Sequence, residues 1–229
     1  MDLSPLMPIL EAQGASASPE QLEQLAGYLQ ALYETNSHTN LTRIPLEDAV
    51  IKHLGDSLLL LRFLPESGSV IDLGTGPGVP AWPLACLRPE LTVHALDATA
   101  KVHRFLQTVP LKNLILREQR AEDVTRREGF DVVTGRALAP FAIQAELSAA
   151  WVKVGGLFVP FRTPAEREEI AATNIGVLGL KLEDFVEVPL LGTDVVRLFP
   201  VFRKVRETQE TYPRTWARIK AKPLGMKGS

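Results

Sequence analysis

Apolar positions along this chain change their period once, near residue 69. Before that point Leu22, Leu25, Leu29 and Leu32 recur at the three- and four-residue spacing of a helix face. Ser18-Pro19-Glu20-Gln21 ahead of them is a capping-box start with proline at the first helical position. The polar run Asn36-Ser37-His38-Thr39-Asn40 predicts that this helix stops near Asn36. A second helix opens around Pro45, with Ile51, Leu54, Leu58 and Leu61 on one face and Lys52, Asp56 and Arg62 off it. Residues 1–17 suggest no element of their own.

From Ser69 onward, strand-like and helix-like segments alternate. Strands are predicted over 70–73, 91–96, 113–117, 130–134 and 156–161, and helices over 80–87, 100–109 and 141–152. A helix over 164–172 comes next, then strands over 184–190 and 195–205 separated only by Leu191-Gly192-Thr193-Asp194. Alternation of this kind predicts an α/β, doubly wound, mostly parallel sheet. Two strands joined by so short a turn must be antiparallel, because a parallel return needs a crossover. The expected fold is therefore Rossmann-like: a seven-stranded sheet ending in an antiparallel hairpin, the arrangement of class I S-adenosylmethionine-dependent methyltransferases. An N-terminal arm and helical cap would occupy 1–66, the core 67–205, and a basic C-terminal segment 206–229.

The stretch from Val70 to Pro80 carries the chemistry. A buried strand holding Asp72 runs into Gly74, Gly76 and Gly78, and Pro80 suits the first turn of the next helix, which predicts a loop at a helix N-terminus with free amides. Such a loop can hold a dinucleotide or S-adenosyl-L-methionine. The spacing is G-x-G-x-G rather than G-x-G-x-x-G, and a carboxylate at Asp72 would repel a pyrophosphate while suiting an ammonium and a sulfonium. Asp97 ends the next strand and can accept both ribose hydroxyls of either ligand, so it points to a nucleoside without choosing between them.

Composition narrows the field. A chain of 229 residues with 45% hydrophobic content is one ordinary domain with a small appendage. Its only cysteine, Cys86, lies in an apolar segment and reads as a buried thiol. No signal peptide is expected from residues 1–17, no run of 18 apolar residues occurs, and a cytoplasmic monomer without membrane contact is expected. No close His or Cys cluster suggests a metal. The net charge of −2 gives no general attraction for nucleic acid, yet residues 201–229 hold eight Lys or Arg against two acids and residues 100–127 hold seven against three. Local basic surfaces of this kind fit a phosphate-bearing partner.

In Asn40-Leu41-Thr42, Lys52-His53 with Asp56-Ser57, the loop from Asp72 to Pro80, Asp97 with Lys101 and Arg104-Phe105-Leu106, Arg120-Ala121-Glu122 and Arg136-Ala137, the chain resembles the RsmG (GidB) family of 16S ribosomal RNA guanine-N7 methyltransferases. Tyr212-Pro213-Arg214 and Lys222-Pro223-Leu224 extend the likeness. The resemblance implies methyl transfer from S-adenosyl-L-methionine to N7 of a guanosine in the 530 loop, with 16S ribosomal RNA in the 30S subunit as partner. It implies cofactor contacts at Gly74, Val79, Asp97, Ala98, Thr99, Ala121, Glu122 and Arg136, beside Asp72, Gly76 and Gly78 of the loop. Departures from the family pattern fall at Ala81, Val102 and Arg162.

Guanine N7 carries its own lone pair, so such a reaction needs placement rather than a general base. Asn40 could favour the positive charge that develops on the base, Arg120 or Arg136 could donate to O6, and Lys101, Arg162 and Arg214 could hold phosphates. His53 and Asp56 are spaced to hydrogen-bond across one helix face, and His38 and His103 read as surface positions. Trp216, between Arg214 and Arg218, is the tryptophan placed to stack on a base. Three rival readings remain at this level: a same-fold enzyme acting on a small molecule or protein, an RNA-binding factor that keeps the cofactor without turnover, and an NAD-dependent oxidoreductase.

Overall fold

The computed structural model describes residues 1–124 and 129–225. Arg126, Arg127 and Lys227, counted above in the basic stretches, lie outside the described residues. The sheet consists of β1 (Gly68–Leu73), β2 (Leu91–Asp97), β3 (Leu114–Glu118), β4 (Phe130–Thr134), β5 (Val152–Phe158), β6 (Leu180–Pro189) and β7 (Val196–Lys204), in the order β3-β2-β1-β4-β5-β7-β6. Six strands share one direction, and β7 runs antiparallel between β5 and β6. Connections leave β1 toward opposite edges, so the order reverses between β1 and β4, where open α/β sheets bind ligands.

Strand alternation divides the core. Val70, Val132 and Val159 face one apolar layer, while Ile71, Leu73, Val133 and Phe158 face the other. The first layer is covered by α1 (Met7–Ala12), α2 (Pro19–Thr39), α4 (Ala81–Leu87) and α5 (Ala100–Leu106), and the second by α6 (Phe141–Ala149), α7 (Arg167–Ala172) and α8 (Trp216–Ala221). Between α2 and β1 a π-helical stretch, Val50–Gly55, runs into the short α3 (Asp56–Leu58).

Several local expectations change, each for a physical reason. Helix α1 was not foreseen: Pro5 and Pro8 fall where the first helical amides need no partner, and Leu6, Ile9 and Leu10 bury beneath it. Helix α2 begins with the expected reciprocal Ser18–Gln21 cap but continues to Thr39, because Asn40 adopts a left-handed conformation (φ 51°) and Asn36 Oδ1 takes the amides of Leu41 and Thr42. The wider π turn rotates the residues beyond it, so Asp56, expected off the apolar face, is buried. Helix α6 stops at Ala149, and β5 starts before the Gly155-Gly156 pair rather than at it. A Cβ on Gly156 would lie 2.8 Å from the Phe130 carbonyl oxygen, so these glycines mark an irregular, close strand contact rather than a turn.

Candidate active site

The glycine loop is built by its own hydrogen bonds. The amides of Gly74 and Thr75 both donate to Leu96 O (2.8 and 3.0 Å), and those of Gly78 and Val79 to Thr75 O (3.0 Å each). Gly76 N donates to Asp97 Oδ2 at 3.0 Å and Ala81 N to Asp72 Oδ2 at 3.3 Å, while Pro77 and Pro80 have no amide hydrogen. The expected free amides are thus occupied within the chain, which leaves no backbone cradle for a pyrophosphate. Backbone shape explains the glycines: Gly74 and Gly78 sit at φ +73° and +100°, and a Cβ on either would come within 2.6 Å of Leu138 or Leu106.

Asp72 is fully buried, and burial pushes its carboxyl up to about 6 against the pull of the Ala81 amide and the Arg136 charge. Its Oδ1 and Thr75 Oγ1 are buried without a hydrogen-bond partner among the described residues. Asp97 is half-buried at the end of β2, one oxygen on Gly76 N and the other on Thr99 N at 2.9 Å.

Two cavities open at the carboxyl edge of the sheet, separated by the β4–α6 loop. The first, about 240 Å³, is lined by Gly74, Leu96, Asp97, Ala98, Gln119, Arg120, Ala121, Glu122, Leu138, Leu147 and Trp216. Gly74, Asp97, Ala98, Ala121 and Glu122 thus line one cavity, whereas Asp72, Gly76, Gly78, Val79 and Thr99 are not part of its lining and Arg136 lines the second cavity. A mostly apolar cleft with Asp97 at its edge and no free loop amides fits a cationic nucleoside better than a dinucleotide.

The second cavity, about 530 Å³, is lined by Lys52, Arg136, Arg162 and Arg197 against a single acid, Glu166, with Ile44, Ala137, Phe161, Thr163, Leu190 and Val195 completing it. Beneath it the buried Asp56 holds two of these arginines. Arg136 Nη1 donates to its Oδ2 at 2.8 Å, and Arg197 donates through Nε to Oδ1 at 2.7 Å and through Nη2 to Oδ2 at 2.9 Å. Arg136 Nη1 also donates to Lys52 O at 2.8 Å. Ala137, next in sequence, takes φ +54°, turning the loop so that residue 137 lines this groove and Leu138 the first cavity.

Other expectations resolve differently. Arg120 and Arg136 line different cavities, Arg120 lying on the first with its guanidinium 3.3 Å from Glu122 Oε1. Exposed Asn40 lines neither, and its carbonyl, with that of Thr39, accepts from Lys101 Nζ at 2.8 and 3.0 Å. Arg162 is nearly buried, donating to Ala139 O, Gln144 and Glu166, and burial lowers its pKa. Arg214 is held by Glu146. His53 makes no hydrogen bond to Asp56: its Nε2 pairs with Thr42 Oγ1 at 3.0 Å, its Nδ1 has no partner among the described residues, and burial, reinforced by the Arg136 charge, pushes its pKa down to about 4. His103, expected at the surface, is buried with Nε2 2.8 Å from Asp97 O. Arg197 escaped notice altogether; its one signal was a charge ahead of the apolar run Leu198–Phe202 in the closing strand.

This strand order, with a glycine loop after β1 and an acid ending β2, defines a class I S-adenosylmethionine-dependent methyltransferase fold. Solved structures agree: a 16S rRNA (adenine(1408)-N(1))-methyltransferase from Catenulisporales acidiphilia is 18% identical with TM-score 0.50, covering 61% of this chain and 89% of its own. A TehB-like SAM-dependent methyltransferase from Corynebacterium glutamicum is 18% identical with TM-score 0.50, covering 66% and 87%. Within that class the chain belongs to the GidB family, rRNA small subunit methyltransferase G, whose model matches residues 21–189. It is 37% identical to the ribosomal RNA small subunit methyltransferase G of Lachnoclostridium phytofermentans over 94% of each chain. It is also 34% identical to that of Clostridium botulinum (strain ATCC 19397 / Type A) over 90% of this chain and 91% of the relative. No helix among the described residues is long and apolar enough to cross a membrane.

Proposed function

We propose that this enzyme methylates N7 of a guanosine in the 530 loop of 16S ribosomal RNA in the small ribosomal subunit. The observation that carries the reading is the pairing of two clefts across one thin wall. The apolar cavity suits the cofactor, and the arginine-lined groove on the other side of Ala137-Leu138 suits an electron-rich base with its phosphates. The family to which the chain belongs, and relatives named as acting on small-subunit ribosomal RNA, support the same substrate.

S-adenosyl-L-methionine, when bound, supplies an electrophilic methyl group on a sulfonium. Gly74, Asp97, Ala98, Ala121 and Glu122 would hold it, with Asp97 accepting from the ribose hydroxyls. The chain's own work is positional. Because guanine N7 needs no deprotonation, neither His53, pushed down to about 4 by burial, nor the buried Cys86 is required as a base or nucleophile. Arg136, held by Asp56 and Lys52 O, would donate to guanine O6 while leaving N7 free. Lys101, Arg162 and Arg214 meet partners inside the protein and act by shaping the site, so phosphate contacts fall to exposed cations around it.

Transfer of labelled methyl to 30S subunits from a strain lacking the family enzyme, with N7-specific cleavage of the RNA, tests the proposal. A single mark in the 530 loop is expected. Absence of transfer to both subunits and free 16S RNA, with cofactor binding intact, would refute it.

A further inference from the structure

We infer that the C-terminal helix completes the cofactor cleft, with Trp216 forming an aromatic face against the adenine. Among the described residues lining the first cavity, Trp216 is the sole aromatic, and it shares that cavity with Asp97 at the end of β2 and with Gln119, Ala121 and Glu122, which follow β3. A half-buried indole in a nucleoside cleft offers a flat, polarisable surface to a purine.

The ring is held there by contacts that a loosely attached basic tail would lack. Glu146, fully buried in α6, accepts from the Arg214 backbone amide at 2.9 Å, from its Nε at 2.8 Å and from its Nη2 at 2.6 Å. Arg214 Nη2 also donates to Lys222 O at 2.9 Å, so one guanidinium ties both ends of α8 to α6. Ile219 is fully buried in the second core layer, and Leu147, the neighbour of Glu146, lines the cavity itself. Lys220 Nζ lies 5.6 Å from the Trp216 ring centroid. The C-terminal segment therefore acts as a wall of the cofactor site, and its basic residues are partly spent in building that wall.

The inference rests on assigning the cofactor to this cavity, and the two are tested separately. Cofactor affinity is measured by calorimetry with S-adenosylhomocysteine, and KM and kcat are measured on 30S subunits, for W216F, W216L and W216A, with D97N as the control for the cavity. Loss of the aromatic face in W216L and W216A raises the cofactor Kd and KM about tenfold or more. W216F stays within about threefold of the parent, with kcat at saturating cofactor and the subunit KM unchanged in all three. W216L keeps an apolar side chain against the cavity, so with W216F as the aromatic comparison it reads stacking even if W216A folds poorly. Unaltered cofactor affinity in W216L with affinity lost in D97N overturns the role of Trp216 while leaving the cavity assigned. Unaltered affinity in both overturns the assignment itself, and a raised subunit KM with normal cofactor binding would put the ring on RNA and also overturn the inference.

Discussion

Replacing Asp56 with Asn removes the charge that holds Arg136 and Arg197 while barely changing shape. The parent carboxylate is 1% exposed and accepts three charged hydrogen bonds of 2.7, 2.8 and 2.9 Å. The variant amide turns one oxygen into a donor facing guanidinium hydrogens. Hydrogen bonds to charged groups contribute about 1.5–3 kcal/mol each, and breaking a fully buried ion pair costs about 3–5 kcal/mol. The Arg136 and Arg197 side chains are 15% and 25% exposed, so both can partly recover hydration. That places the net cost near the lower end, about 3 kcal/mol, or a Tm lower by roughly 6–12 °C for a domain of this size. Thermal unfolding measures the first quantity, and single-turnover methyl transfer with parallel cofactor titration measures the second. Turnover should fall on the order of 100-fold because the arginines lose their aim, with cofactor affinity within about threefold. A Tm within about 1 °C of the parent would refute the energetic argument. A lowered Tm with unchanged turnover would refute the positioning role.

Gly78→Ala adds a Cβ 2.6 Å from Leu106 Cδ2 at φ +100° and should lower unfolding free energy by about 2–3 kcal/mol in urea titrations; a neutral result would mean the loop has room to shift. Asp72, raised to about 6, keeps a proton on folding that the unfolded chain loses near 3.8, so its contribution falls as pH rises through that window; His53, lowered to about 4 from 6.5, contributes stability that is lost as pH falls through the same range. Each is on the order of 3 kcal/mol, so as pH rises from about 4.5 to 6.5 D72N should gain stability relative to the parent and H53Q lose it, and slopes of the opposite sign in urea titrations would overturn both assignments. Exposed Arg104, changed to Gln, should reduce the slope of log K against log salt for RNA binding by about 1, whereas Lys101→Gln should leave it nearly unchanged because that ammonium already caps α2.

Sheet, loop and hairpin were legible in the chain because each rests on local signals: continuous apolar runs for strands covered on both faces, glycine spacing for the loop, and a four-residue gap that excludes a crossover. Part of the first cavity's lining was legible as well, since Gly74, Asp97, Ala98, Ala121 and Glu122 stand at or just beyond the ends of successive strands and topology brings those ends together, whereas Val79, Thr99 and Arg136 fall outside it. The features that escaped are non-local. The Asp56 clamp joins a π-helical stretch to Arg136, 80 positions on, and to Arg197, 141 positions on. A helical wheel drawn at 3.6 residues per turn sends Asp56 outward, because it cannot show the wider turn that brings it in. Trp216 raised an aromatic signal, but only the long-range Arg214–Glu146 tie brings its ring to the first cavity.

The same non-locality explains why charge was the weakest guide to the RNA-facing residues. A cation is counted in sequence by its sign alone, yet its use depends on the groups within about 3 Å of it. Lys101 is drawn to the carbonyl end of α2, where its charge meets the helix dipole; Arg162 bridges the β4–α6 loop to Glu166; and Arg214 neutralises a carboxylate that burial would otherwise penalise heavily. The last two fix elements that border the cavities, Arg162 lining the second and Arg214 tying down the helix that carries Trp216 of the first. The near-neutral chain thus commits several of its 25 Lys and Arg residues to internal partners, and in the second cavity Arg136 and Arg197 are both held by a single buried acid.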